Sequence, residues 1–406
     1  MIELLSALLM WVLFFWTFYN LPIVVVGVRK ALKKKRKVHE ESSGKLPFVS
    51  IVIPARDEET VVGRCLESVV KLDYPKELFE VVVVEDGSTD STVSICEGFE
   101  KDYPDLVRLV RNPVSRGKPA ALNYALRFVQ GDVVAVFDAD NVPEVDVLIK
   151  AVRYFDEESV GAVQGKQRCL NRDQNMLTKL VSFEGELWSH NYLRGKDALG
   201  LFVSVTGSCY FVRKDVLLEV GGWDSSSLSE DMELSANLAN HDYGIRYAPE
   251  VCSWQENPGS AGSFFNQRVR WFRGSLDAGI QYGKLMKKPN LVRLDAEITL
   301  FGPLFVAFGL FGYLFSLFSG FVPFALDSFL ASAVSSGLIS FSLMLIGLGL
   351  VFVNKPRSFG SLLWVPFIYF YWMLQTFIAS FALFQLVFRR PKRWIRTAKT
   401  GKTTEF

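Results

Sequence analysis

Histidine and cysteine are scarce: three His and five Cys in 406 residues. Cys65, Cys96, Cys169, Cys209 and Cys252 form no Cys-x-x-Cys pair, which removes zinc-ribbon and thioredoxin-like readings and leaves reduced packing cysteines. A disulfide scaffold is excluded by the same sparseness. His190 and His241 have no second ligand at metal spacing and read as packing or solvent-facing residues. Gly-x-x-x-x-Gly-Lys-Ser/Thr and Gly-x-Gly-x-x-Gly are also missing, so the usual ATPase and dinucleotide sites lack their loops. There is no internal repeat and no low-complexity tract. Net charge is small, +2. With 14% aromatic residues, a disordered chain is excluded as well.

Hydrophobicity, by contrast, is abundant and comes in blocks. No Asp, Glu, Lys or Arg occurs from Leu4 to Val28, Ile298 to Leu326, Ser328 to Asn354 or Ser361 to Phe388. Each run reaches the roughly 20 residues a helix needs to cross a bilayer. The first is too long for a signal-peptide core and no small-residue cleavage site follows it, so it reads as a permanent anchor. Arg29, Lys30, Lys33, Lys34, Lys35, Arg36 and Lys37 follow it directly. Arg389, Arg390, Lys392, Arg393, Arg396, Lys399 and Lys402 follow the last run. These two segments hold 14 of the 45 basic residues and one acid, which leaves −11 on the remainder. Basic runs beside apolar spans mark the cytoplasmic face and attract anionic lipid headgroups. They do not point to nucleic acid, because the middle of the chain is acidic. Residues 29–295 are therefore expected in the cytoplasm. Three full late crossings would put the basic C-terminus outside, against the same rule. A cytoplasmic C-terminus is the favoured reading, with one late segment re-entrant or interfacial.

The middle has ordinary soluble character. Val49–Ile53, Glu80–Val84 and Asp132–Phe137 read as buried strands, and Val107–Val110 as extended. They alternate with helical patterns at 61–70, Ser91–Phe99 and Pro119–Val129. That alternation predicts a parallel sheet with helices on both faces, with ligands bound where the strands end. Carboxylates cluster there: Arg56-Asp57-Glu58-Glu59 after the first strand, Glu85-Asp86 after the second, Asp138-Ala139-Asp140 after the third. One acidic turn is commonplace, whereas three on one sheet edge imply a cation or a cationic substrate. Asp-x-Asp at a strand end can reach one Mg²⁺ or Mn²⁺.

Arg116-Gly117-Lys118 opens the helix near Pro119 and suits a diphosphate. Ser229-Glu230-Asp231 opens another helical run. There Ser229 is equally well read as an N-cap with acids favouring the dipole, or one acid as a general base. Gln267-Arg268-Val269-Arg270-Trp271 heads a stretch whose apolar side includes Phe272, Leu276, Ile280 and Leu285, followed by Lys284, Lys287 and Lys288. It is expected to lie on the membrane surface. Trp188, Trp223 and Trp254 are candidates for stacking on a sugar, Trp254 foremost. Cys209 is a candidate for lining an acceptor pocket. Donor choice is expected to rest on loops such as 164–172 and 204–210.

The order Asp86, Asp138-Ala-Asp140, Ser-Glu-Asp231, Gln267-x-x-Arg270-Trp271, followed by apolar spans, resembles the membrane-embedded family 2 glycosyltransferases. That family includes cellulose, chitin, hyaluronan and poly-N-acetylglucosamine synthases and ceramide glucosyltransferase. The motifs cover residues 49–271; the later half matches only in character. The resemblance implies an α/β GT-A fold, Rossmann-like, with α-helical transmembrane segments. It implies inverting transfer from a nucleotide diphosphate sugar, with a UDP-sugar expected, and Mg²⁺ or Mn²⁺ as cofactor. On it, Asp86 contacts the nucleobase, Asp138 the nucleotide-sugar and Lys118 the phosphates, with Glu58 in the donor-binding set. Asp140 ligates the metal, and Asp231 is the general base. Gln267, Arg270, Trp271 and Glu230 serve the diphosphate and acceptor end. The third acidic motif carries Ser229 where several synthases have Thr. The tail Lys392-Arg393-Trp394 to Thr400-Gly401 looks like a cytoplasmic segment of some relatives.

The expected organisation is an anchor at 1–28, a basic linker at 29–44, a catalytic domain at 45–265 and an interfacial segment at 266–295. A membrane region at 296–388 and a basic tail at 389–406 complete it. Three functions compete. The leading one is a plasma-membrane synthase extending a polysaccharide, with coupled translocation; the second is a single addition to a membrane lipid, ceramide-like or polyprenyl phosphate. The third is a non-catalytic membrane protein that retains the domain. Membrane lipids are partners in each.

Overall fold

The computed structural model describes residues 2–32, 45–113, 115, 117–283, 289–319, 344, 347, 349–351, 359–392, 397 and 399–404. The strands are β1 (Val49–Ala55), β2 (Phe79–Glu85), β3 (Val107–Arg111), β4 (Val133–Val136), β5 (Val142–Pro143), β6 (Val160–Cys169), β7 (Tyr210–Arg213) and β8 (Gly244–Gln255). They form one sheet in the order β3-β2-β1-β4-β7-β6-β8-β5. Val-rich β1, β2 and β4 are covered on both faces. Ile51, Ile53, Val81 and Val83 enter one core with Cys65, Leu66 and Val69. Val52, Val82 and Val84 enter the other with Leu122, Tyr210 and Trp223. This is the period-2 alternation of a strand buried on both sides.

The four strands β1–β4 pair in parallel, and so do β6 and β8. β7 runs antiparallel to both β4 and β6, and β5 antiparallel to β8. The expectation of a parallel sheet is therefore corrected to a mixed one. The strand–helix alternation that suggested it stops after β4, and β7 returns into the middle of the sheet from a long connection.

The helices are α1 (Ile2–Leu32), α2 (Val62–Val70), α3 (Thr92–Asp102), α4 (Lys118–Ala125), α5 (Val147–Val152), α6 (Met176–Leu187), α7 (Arg194–Ala198), α8 (Lys214–Glu219), α9 (Glu230–Asn240), α10 (Ala261–Tyr282), α11 (Leu291–Leu300), α12 (Gly302–Ser319) and α13 (Val365–Val387). A π-helical turn, Trp188–Leu193, joins α6 to α7. α1 lies directly on this turn. A Cβ on Gly27 would stand 1.7 Å from the Asn191 carbonyl oxygen, and one on Gly195 would stand 2.0 Å from that of Ile23. Only glycine permits that backbone approach. α1 also stacks Phe15 and Trp16 on Phe305 of α12.

Among the described residues, Phe359–Val387 is a helix long and apolar enough to cross a membrane, with mean hydropathy 1.5. Leu291–Leu300 and Gly302–Phe311 pass the same test together but are bent by 46°. Most of the run from Ser328 to Asn354, the linker at 33–44, Arg116, and residues 284–288 with Lys284, Leu285, Lys287 and Lys288 lie outside the described residues.

α10 departs from the expected interfacial helix. Its buried face carries Arg268 and Arg273 beside Phe264, Val269 and Leu276, whereas Ile280 is exposed. Glu184 of α6 explains the buried Arg268: its carboxylate accepts from Arg268, from Tyr371 Oη at 2.7 Å and from Gln375 Nε2 at 2.7 Å. This network ties α10 to α13. Arg273 donates to the Arg390 carbonyl, and Lys392 pairs with Asp277 at 3.3 Å. Residues 389–392 thus leave α13 along α10, and residues 399–404 lie against the α/β domain.

Candidate active site

β1, β2 and β4 end on one edge of the sheet, and α4, α9 and α10 point residues into the cleft above it. All ten residues expected from the sequence line this one cleft: Glu58, Asp86, Lys118, Asp138, Asp140, Glu230, Asp231, Gln267, Arg270 and Trp271. It encloses about 1180 Å³ including its open mouth. Distant segments of the chain meet here because parallel strands deliver their C-terminal ends to one side.

Lys118 stands at the centre. Its Nζ lies 2.7 Å from Asp138 Oδ1 and 3.1 Å from Glu230 Oε1, and donates to the Gly207 carbonyl at 2.6 Å. Burial disfavours its charge, but the Asp138 and Glu230 carboxylates outweigh that and hold its pKa above the usual lysine value. Burial likewise opposes ionisation of Glu230, yet the Lys118 ammonium and Arg270 hold its pKa below the ordinary carboxylate range. Asp231 behaves in the opposite way. Burial and the neighbouring Glu230 charge push its pKa up to about 6, against the opposing pull of Lys118.

Asp231 Oδ1 accepts from Ser229 Oγ at 2.9 Å and from Met232 N at 2.8 Å. Ser229 occupies the N-cap position of α9 without capping it by its side chain; its hydroxyl orients the acid instead. Asp231 Oδ2 faces Gly207, whose φ is +79° and whose added Cβ would stand 3.3 Å away. Gly207 belongs to the 204–209 loop, which β6 holds in place. Gln164 Oε1 accepts from Thr206 N at 2.7 Å, and Gln167 Nε2 donates to the Ser208 carbonyl at 2.7 Å.

At the other end of the cleft Asp86 is engaged on both oxygens, by Asn112 Nδ2 at 2.7 Å and by Ser115 Oγ and Gly117 N, each at 3.1 Å. It thereby ties β2 to the loop that leads into α4. Asp140 Oδ2 accepts from Glu256 N at 3.0 Å and from Lys399 Nζ at 2.5 Å. Trp271 lies under the Arg268 guanidinium, 4.4 Å from ring centre. Gln267 Oε1 is buried without a hydrogen-bond partner among the described residues, an acceptor left for a ligand donor.

Asp138 and Asp140 are hard oxygen donors at one strand end, the chemistry that suits Mg²⁺ or Mn²⁺. No group of three or more His, Cys, Asp or Glu among the described residues is arranged to hold a metal. Asp138 and Asp140 would fit an ion that completes its shell with diphosphate and water oxygens.

Gln167, Thr206 and Gly207 line the cleft from the two loops expected to shape the donor pocket. Gln255, Glu256, Asn257, Thr397 and Lys399 also line it and escape sequence reasoning. Gln255 comes from the end of β8 and Glu256 and Asn257 from the loop after it, while Thr397 and Lys399 come from the C-terminal tail. Conversely, Cys209 is fully buried and outside the lining; Thr206 and Gly207 of its segment are the lining residues. Trp254 stacks under Arg168 at 5.1 Å, Trp223 is buried with its Nε1 on Tyr210 Oη, and Trp188 stacks on Tyr192. Among the described residues that line the cleft, the aromatic one is Trp271.

The model of the family described as "Glycosyltransferase like family 2" matches residues 47–274, the segment that builds this cleft. The chain belongs to glycosyltransferase family 2. Over 97% of its length it is 27% identical to a probable glycosyltransferase, YdaM, of Bacillus subtilis, covering 96% of that protein. Over 67% of its length it is 32% identical to a beta-monoglucosyldiacylglycerol synthase of Nostoc, and over 58% it is 30% identical to a poly-beta-1,6-N-acetyl-D-glucosamine synthase of Staphylococcus epidermidis. The chain spans only 58% and 55% of those two proteins. A mannosyltransferase structure from Pyrobaculum calidifontis, in complex with GDP-Man and Mn²⁺, aligns with TM-score 0.64 at 20% identity over 95% of this chain and all of that one. That likeness carries the GT-A fold. This family 2 glycosyltransferase thus has a nucleotide-sugar transferase domain of mixed sheet and helices, with an apolar helix near its C-terminus.

Proposed function

We propose that the protein transfers a hexose from a UDP-sugar, with inversion, to a hydroxyl of an acceptor presented at the cytoplasmic face of the plasma membrane. The observation that carries this reading is the Lys118 ammonium set between Asp138 and Glu230, with Asp231 Oδ2 open beside it. Lys118 can meet a leaving diphosphate, and Asp231 beside it can take a proton.

Asp231 is the base. With a pKa near 6 it is ionised at neutral pH, yet basic enough to accept the hydroxyl proton. Ser229 and Met232 N hold Oδ1, which leaves Oδ2 for the acceptor. As the hydroxyl oxygen bonds to the anomeric carbon, the bond to the diphosphate breaks on the opposite face. Lys118 and Arg270 lie where the negative charge develops, and such fixed charges act more strongly in a cleft than in water. Asp140, with Asp138 beside it, would hold a divalent ion, which would supply Lewis-acid stabilisation of the leaving group. Asp86 shapes the nucleobase end by holding the Asn112–Gly117 loop. Gln267 and Trp271 face the acceptor end, and Glu58 and Glu230 complete the donor and acceptor walls.

The first acceptor reading is a growing polysaccharide, supported by the Gln-x-x-Arg-Trp motif and the apolar helices that continue from the cleft through α10 to α13. The second is a membrane lipid, supported by the 32% identity to glucosyldiacylglycerol synthases. The contacts of residues 399–404 with the catalytic domain support a basic tail on the same side of the membrane as that domain. Incubating the purified protein with each UDP-sugar, Mn²⁺ and membrane lipid, then sizing the product, tests the reading. A ladder of long products selects the polysaccharide, a single glycolipid selects the lipid, and neither transfer nor donor hydrolysis refutes the assignment.

A further inference from the structure

The cation on Asp140 in this structure belongs to the protein itself. Lys399 reaches into the cleft from the C-terminal tail, 259 residues away in sequence, and places Nζ 2.5 Å from Asp140 Oδ2 and 3.0 Å from the Glu256 carbonyl. The carboxylate that receives it is itself buried. The lysine does not arrive by a loose side chain. The Glu256 carboxylate accepts from Thr400 N at 2.9 Å and is paired with Arg64 at 3.1 Å. Arg64 also donates to the Gly401 carbonyl at 3.3 Å. Further on, Thr404 N donates to the Leu170 carbonyl at 2.8 Å, and Asp173 N donates to Thr404 Oγ1 at 3.1 Å. At its origin the tail is held by Arg273 and by the Lys392–Asp277 pair. Residues 399–404 are thus a strap held against the domain at Glu256, Arg64 and Leu170, with one ammonium delivered at its start.

We infer that Lys399 is a tethered competitor for the divalent ion at Asp140. The inference rests on the proposed metal role of Asp140. An ammonium and a divalent ion cannot share one carboxylate oxygen in a buried site, since their mutual repulsion is little screened there. Binding of the ion therefore displaces Lys399 and loosens the 399–404 strap. In the metal-free protein the lysine neutralises a buried carboxylate that would otherwise lack a counter-charge.

The test is Mn²⁺ binding by the full-length protein in detergent, read by the electron paramagnetic resonance signal of free Mn²⁺ at saturating UDP. Lys399→Met is expected to lower the apparent Mn²⁺ Kd about tenfold. Thr404→Pro loosens the far end of the strap without touching the cleft, and is expected to lower it by a smaller factor. Hydrogen exchange of the 399–404 amides in the unmodified protein is expected to accelerate when Mn²⁺ is added to the UDP-bound form. An unchanged or weakened Mn²⁺ affinity in Lys399→Met, or strap exchange indifferent to Mn²⁺, overturns the inference alone. If neither the parent nor the variants bind Mn²⁺ with UDP, the metal assignment of Asp140 fails and takes the inference with it.

Discussion

Replacing Asp231 by Asn should make the protein both inactive and more stable, an unusual pairing with a specific cause. Burial and the Glu230 charge raise the Asp231 pKa from 3.8 to about 6. A carboxyl whose folded pKa lies above its unfolded one favours the folded state while protonated. That contribution is complete below about pH 4 and is lost as pH rises through 6. At pH 7.5 the ionised Asp231 therefore costs stability, and two pKa units set an upper bound of about 3 kcal/mol. Coupling to Glu230 and the opening to solvent reduce this to roughly 1–2 kcal/mol. Asn presents the same oxygen to Ser229 Oγ and Met232 N and drops the charge, so the local hydrogen bonds persist. Thermal unfolding at pH 7.5 should then shift up by several degrees, at about 2–4 °C per kcal/mol for a domain of this size. Turnover should fall roughly 10²–10⁴-fold, the range expected for loss of a general base, with UDP binding retained. The assay is a pair of melting curves at pH 4 and pH 7.5 beside donor turnover. An Asn variant less stable at pH 7.5, or a shift equal at both pH values, refutes the electrostatic reasoning; undiminished turnover refutes the base.

Gly207→Ala adds a Cβ 3.3 Å from Asp231 Oδ2 at a φ of +79°. It should lower kcat about 100-fold by displacing the base, with an unfolding transition within a few degrees of the parent. Lys196→Met should cost roughly 3–5 kcal/mol in chemical unfolding, because it strands the buried Asp295 that also accepts from Tyr19 at 2.5 Å. The double replacement Lys196→Met with Asp295→Leu should recover most of that loss. Gly195→Val drives a side chain into the Ile23 carbonyl. It should free α1 from α7, seen as faster hydrogen exchange across Asn191–Ala198. Finally, kcat should rise with pH through about 6 as Asp231 ionises, and a flat pH–rate profile between 5 and 7.5 would contradict that assignment.

Most of the acidic edge of the candidate site was legible in the sequence, for a physical reason. A buried strand betrays itself as an apolar run, and a parallel sheet must present its strand ends on one side, so Asp86, Asp138 and Asp140 had to be neighbours. Asp231 and Gln267 were legible through motif order. The rest depended on geometry that no local pattern encodes. Gly207 matters because its missing Cβ makes room for the Asp231 carboxylate, which arrives on a different element. Arg268 and Arg273 are buried on α10 because Glu184 and the turn after α13 supply partners from distant segments, which no local pattern announces. Trp254 looked like the sugar platform and is instead covered by Arg168.

By itself the sequence determined the strands through their period-2 burial, the apolar blocks through their lack of charge, and the separation of an acidic middle from two basic ends. These are local consequences of side-chain solubility and backbone geometry. The tertiary structure alone decided that the sheet is mixed, that α1 packs backbone to backbone against the catalytic domain, and that a lysine from the basic tail rests on Asp140. Each of these depends on which distant surfaces meet, and the free energy of a meeting belongs to both partners and to neither stretch of sequence alone.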